Sequence, residues 1–180
     1  AAYLTALRLQ PSFTQAAVNL ADLYRMQGRD ADGEKILRQA LTLDPGNAAA
    51  QHALGLLLIR QKRLPEAMAA LGEAAKLDSG NPRYGYVYAV ALNGAGQNQQ
   101  AIRTLEAVLA KHPNDRDTLM ALISFQGNAG QLDAARDYAR RLASWNRTIL
   151  GSRCCCGSWK PSHRSLVSKP IAFLRFPRVA

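Results

Sequence analysis

Large apolar and small residues return along this chain at an interval of 34. Leu20, Leu54, Tyr88 and Leu122 form one series; Ala21, Gly55 and Ala89 form the next, which breaks at Ile123. Gly33, Ala67, Ala101 and Ala135 keep the same interval, as do Leu37, Leu71, Leu105 and Ala139, and Ala40, Ala74, Val108 and Leu142. Pro11 and Pro45 stand 34 residues apart (45 − 11), Pro113 lies 68 further on (113 − 45), and Ser79 holds the place between them. No stretch alternates apolar and polar with period two, so strands are not expected. Such a period predicts helix pairs stacked into a solenoid, because one pair alone leaves its apolar face in water.

With position 1 set three residues after each proline, complete units run over 14–47, 48–81 and 82–115, and a partial last unit over 116–145. Residues 1–13 read as the end of a truncated unit, and the chain is expected to be a fragment of a longer array. Small residues at positions 8 and 20 let two antiparallel helices approach, while the large residues at 7 and 24 fill the space beside them. Gly28, Gly96 and Gly130 share position 15, where the first helix of a pair must stop and a left-handed backbone suits glycine; Lys62 takes that place in the second unit. Asn81 and Pro82 read as an N-cap and first helical residue, and Pro65 fits a first turn. Asp30 and Asp32 open another helix with the charge that the helix dipole favours.

These residues resemble the tetratricopeptide repeat (TPR) family, whose pattern has a large apolar residue at position 7, small residues at 8, 20 and often 27, and proline at 32. The resemblance covers roughly the first four-fifths of the chain. It implies an all-α, right-handed α-solenoid of antiparallel helix pairs in which positions 2, 5, 6, 9, 12 and 13 of the first helices line a concave groove. Carried over by position, that groove holds Asn19, Asp22, Arg25 and Met26 from the first unit, and His52, Leu56, Ile59 and Arg60 from the second. The third gives Arg83, Tyr86, Val87, Val90 and Asn93; the fourth adds Asp117, Met120, Ser124 and Asn128. Chaperone-binding members resemble a clamp of Lys and Asn that holds a C-terminal carboxylate. Asn19 fits one clamp position, but Val18 stands in place of the first Lys and Asp22 in place of an Asn, so an acidic chaperone tail is not the expected ligand.

The family resemblance therefore implies a non-catalytic protein-protein interaction scaffold that binds a peptide or protein segment in its groove. Tyr86, Leu56 and Val90 would form an apolar platform, and Arg25 or Arg60 would pair an acidic residue of the partner. Any one of these side chains could instead pack the next repeat. A second reading makes the array an accessory C-terminal region of a larger bacterial enzyme or multihaem cytochrome-like protein, through a loose likeness over 84–92 and 114–119. A third is self-assembly through unmatched repeat faces at both ends.

Charge alters this picture in one place. Residues 1–146 carry 16 Lys and Arg against 13 Asp and Glu, whereas 147–180 carry seven basic residues and no acid. The pI of about 10.0 describes the tail, and the groove has too few cations to expect nucleic acid. The 34-residue frame is lost after Asn146. The basic tail over 146–180 is expected to be irregular: a native appendage for an acidic membrane surface, with 171–176 as its apolar part, or the product of a reading-frame slip. No run of 18 apolar residues spans a bilayer, no leader is visible, and the compartment, cytoplasmic or periplasmic, is open.

No catalytic chemistry is expected. H-E-x-x-H, the P-loop pattern and G-x-S-x-G are absent, and Gly94 and Gly96 read as a turn between helices rather than as a phosphate loop. His52, His112 and His163 are far apart in the frame, His112 at a helix end and His52 in the groove. Cys154, Cys155 and Cys156 are consecutive, unlike metal-binding pairs spaced by two to four residues, and C-x-x-C-H is absent, so neither a metal nor a cofactor is expected.

Overall fold

A computed structural model describes residues 2–152, with side chains described as far as Ser144. The described residues form nine helices and no strand: α1 (Ala2–Leu9), α2 (Thr14–Met26), α3 (Asp30–Leu43), α4 (Ala48–Arg60), α5 (Leu64–Leu77), α6 (Pro82–Gly94), α7 (Asn98–Lys111), α8 (Arg116–Asn128) and α9 (Leu132–Ser152). The first helices α2, α4, α6 and α8 are each 13 residues long. The second helices α3, α5 and α7 are each 14. Each first helix packs on the second helix of its own pair, and each second helix packs on the first helix of the next. This is the α-solenoid that the period predicts.

The turns have one geometry throughout. Gly28, Gly96 and Gly130 adopt φ values of 73°, 80° and 75°, and Lys62 follows them at 61°. A side chain held left-handed costs about 1–2 kcal/mol, so the array imposes its turn on a residue that disfavours it. First helices begin with equal regularity. At position 34, Asn47 Oδ1 accepts from Ala50 N at 3.0 Å, Asn81 Oδ1 from Arg83 N at 3.1 Å, and Asp115 Oδ2 from Thr118 N at 2.8 Å. Phe13 stands there before α2 and supplies no cap.

Packing inside each pair follows the small residues. A Cβ on Gly33 would stand 3.3 Å from the Ala21 carbonyl oxygen, and one on Gly55 would stand 3.3 Å from that of Ala67 and 2.5 Å from Cγ of Leu71. Positions 8 and 20 therefore face each other with no room to spare. At position 24, Leu37, Leu71 and Leu105 are 0% exposed. The last unit departs: Ala139 at that position is exposed.

The buried residues fall into two clusters. One joins α2 to α5 through Ala21, Leu37, Leu54, Leu57 and Leu58; the other joins α6 to α8 through Leu92, Ile102, Leu105, Leu119 and Leu122. Met68 of α5 reaches into the second cluster. Among the described residues, ion pairs between helices fall in the first, while around the second Tyr138 bonds Glu106 and Arg141 bonds the Pro113 carbonyl oxygen. Arg63 bonds Glu34 at 2.9 Å and Glu66 at 2.6 Å, Arg38 bonds the same two carboxylates at 2.8 and 3.1 Å, and the four residues tie α3 to α5. Burial alone would raise the Glu34 carboxyl, but hydrogen bonds from Arg38 and Arg63 hold it below its ordinary value.

The last helix runs on to Ser152, past residue 146, where an irregular tail was expected to begin. Adding a residue to a formed helix is far easier than nucleating one. Cys154, Cys155, Cys156, His163 and the apolar stretch 171–176 lie outside the described residues.

Candidate protein-binding groove

Helices α2, α4, α6 and α8 present the side chains that the frame assigns to the groove. Asn19, Asp22, Arg25, Leu56, Tyr86, Val90 and Asn93 are half-buried, while Arg60 and Arg83 are exposed. Met26, at the end of α2, is 81% exposed. Among the wider set, Ile59, Val87 and Met120 are half-buried and Asp117, Ser124 and Asn128 exposed. An apolar side chain left half in water by the fold has area still to gain from a partner.

His52 is the exception. It is 8% exposed, and neither ring nitrogen has a hydrogen-bond partner. Its ring lies against Tyr84 of α6, centroids 4.8 Å apart and planes tilted by 44°. Burial, helped by the nearby Arg83 charge and opposed by Asp22, pushes the imidazole down to about 4, so it is neutral at pH 7. The structure thus brings Asp22, His52 and Arg83 together from three first helices. Although α2 packs on α4 and α6 on α8, α4 and α6 do not pack closely on each other. The His52–Tyr84 pair bridges the gap.

The arginines expected to meet an acidic partner are already engaged. Arg25 holds Asp22 at 3.1 Å and Arg60 holds Asp30 at 3.2 Å. Asn19 accepts from Gln15 at 3.1 Å. Arg83 is the groove arginine whose side chain forms no ion pair or hydrogen bond among the described residues, and Asp117 is the groove carboxylate in the same condition. Sequence reasoning placed both on the face but could not separate free charges from engaged ones. The partner Asp30 that removes Arg60 belongs to the preceding unit.

Between α6 and α8 the face sinks into a cavity of about 280 Å³ lined by Pro82, Arg83, Tyr86, Val87, Asp115 and Asp117. Burial, then the Asp117 and Asp115 charges, raise the Tyr86 phenol, which therefore stays protonated and can donate. Gly94, read from the sequence as part of a turn, is the last residue of α6, Gly96 lies in the α6–α7 turn, and His112 caps the end of α7. Among the described residues no group of His, Cys, Asp and Glu is placed to hold a metal ion. None of their helices is long and apolar enough to cross a membrane.

Profiles described as tetratricopeptide repeat match residues 1–48, 31–91 and 92–149. The chain belongs to the tetratricopeptide repeat family. It is 29% identical over 98 residues to the TPR repeat-containing protein YpiA of Bacillus subtilis (strain 168), a match that covers 54% of this chain and 23% of that one. The chain spans less than a quarter of the length of the curated relatives it matches, 23% in each case. Among solved structures, MamA superposes with a TM-score of 0.71 at 19% identity, covering 83% of this chain and 87% of that one. YrrB, described as a TPR protein with an unusual peptide-binding site, superposes with a TM-score of 0.68 at 19% identity over 80% of this chain and 74% of its own. These likenesses establish a shared TPR fold.

Proposed function

We propose that this array is a non-catalytic scaffold that holds a peptide or protein segment in the groove formed by α2, α4, α6 and α8. The observation that carries this reading is the row of half-buried apolar side chains, Leu56, Ile59, Tyr86, Val87 and Val90, interleaved with charged groups on one face of the first helices. On other faces of the same helices Leu54, Leu57, Leu58, Ala89 and Leu92 are closed in the core. The peptide-binding site named for YrrB belongs to that protein, and the shared fold makes a similar use of the groove reasonable here. Position 2 and 5 side chains from neighbouring helices can then read successive residues of one bound segment.

The test is peptide display against the whole chain and against Leu56→Asp and Val90→Asp. Both substitutions are expected to leave stability within about 1 kcal/mol, since the sites are partly open, and to abolish capture of the selected peptides. Peptides that bind the variants as well as the parent, with hydrogen-exchange protection on α3, α5 and α7 instead, would refute the groove. The short span of the match to longer bacterial relatives favours a second, compatible reading: the array serves as an accessory segment of a larger protein.

A further inference from the structure

Arg83 and Asp117 occupy the same place in successive units, each the second residue of its helix, α6 or α8. They have opposite charge, both are exposed, and neither side chain is paired among the described residues. The other groove charges, Arg25, Asp22 and Arg60, neutralise one another or Asp30 at 3.1–3.2 Å. A cation in the first turn of α6 also opposes the helix dipole, so Arg83 is not placed there to stabilise its own helix. Adjacent packed helices stand about 8–10 Å apart. In an extended segment, side chains two residues apart share one face and lie about 7 Å apart, a gap that flexible Arg and Asp side chains close by leaning together.

Resting on the groove reading above, we propose that the segment bound here is extended and carries an acidic and a basic residue two positions apart, the acid on Arg83 and the base in the α6–α8 cavity against Asp117. Tyr86 lines the same cavity as these two charges. Its ring supplies a surface for the basic residue's methylene stem, and its hydroxyl a donor or acceptor. Asp115 lines the same cavity, its Oδ2 accepting from the Thr118 amide at 2.8 Å, and its negative charge adds to that of Asp117. The Arg83 charge also acts on His52, which is 8% exposed with both ring nitrogens buried and unpartnered. A carboxylate that offsets the Arg83 charge would therefore be felt at the His52 ring through the field, without contact.

The experiment measures binding of three fluorescent nonapeptide pools to the full chain, apolar except for a central Glu-x-Lys, a central Gln-x-Gln, or an adjacent Glu-Lys whose side chains point to opposite faces. The Glu-x-Lys pool is expected to bind about tenfold tighter than Gln-x-Gln, with the adjacent pair in between. Arg83→Gln and Asp117→Asn should each weaken the preference for Glu-x-Lys over Gln-x-Gln; both side chains are exposed, and circular dichroism checks that the helices persist. The Glu-x-Lys pool should also shift the His52 ring resonances, which the Gln-x-Gln pool should leave in place. Equal binding of all three pools would overturn the charge proposal while leaving the groove intact. Binding by none of them would overturn both readings.

Discussion

The junction between units 14–47 and 48–81 and the junction between 48–81 and 82–115 share one backbone geometry and are held by different chemistry. At the first, α2 packs on α4 and two arginines clamp Glu34 and Glu66 across α3 and α5. At the second, no side-chain hydrogen bond or ion pair passes from α4 or α5 to α6 or α7 among the described residues. Contact there is made by Met68, by the His52–Tyr84 rings, and by Tyr88, whose ring would lie 3.2 Å from a Cβ on Gly72. One repeat geometry can thus be maintained by charge at one seam and by shape at the next. The seam that relies on shape carries His52, whose two buried ring nitrogens have no partner, beside the groove.

Three measurements test that contrast. The largest effect belongs to Leu71→Ala, which opens a cavity between α4 and α5, the pair shared by both seams. It should cost roughly 2–5 kcal/mol in urea unfolding, and a loss below about 1 kcal/mol would show that the two clusters do not depend on that pair.

Acid comes next. The His52 imidazole titrates near 6.5 when the chain is unfolded and is pushed down to about 4 in the fold, so the unfolded state binds more protons between these values. Stability from this group is full above pH 6.5, falls as pH drops towards 4, and should decline by up to about 3 kcal/mol. His52→Phe keeps a ring against Tyr84 and should flatten that slope; an unchanged pH profile in the variant would remove His52 from the seam. The smallest effect is at the first junction. Glu34→Gln should cost about 1 kcal/mol at low salt and less in 1 M salt, where exposed pairs are screened within about 3 Å; a loss independent of salt would mean that the clamp acts by packing.

The architecture was legible because it is written in identities that recur. Leu71 and Ala67 declare a helix face whatever surrounds them, and glycine at position 15 declares a turn. The caps were legible in part: Asn81 announces itself beside Pro82, whereas Asn47 and Asp115 do the same work without a proline to mark them. The groove was legible only as a set of positions. Whether Arg60 is free depends on Asp30, 30 residues earlier, and no local pattern encodes that pairing. His52 was assigned to the groove by its position, and the structure closes it beneath Tyr84 because a ring from the next unit covers it. Gln126 is similar: it shares position 11 with Leu58 and Leu92, and its buried Oε1 lacks a partner. Fold follows from what repeats, while the character of the face follows from where neighbouring units differ.

Lys62 shows how far that division extends. Its left-handed turn, at φ 61°, is dictated by the helices on either side rather than by lysine itself. A whole unit gained or lost during evolution would bring its turn along and leave the neighbours in phase, whereas the gain or loss of a single residue would rotate every later helix out of register. Arrays of this kind are therefore free to change length by whole units and sequence by single letters, and resist almost everything between.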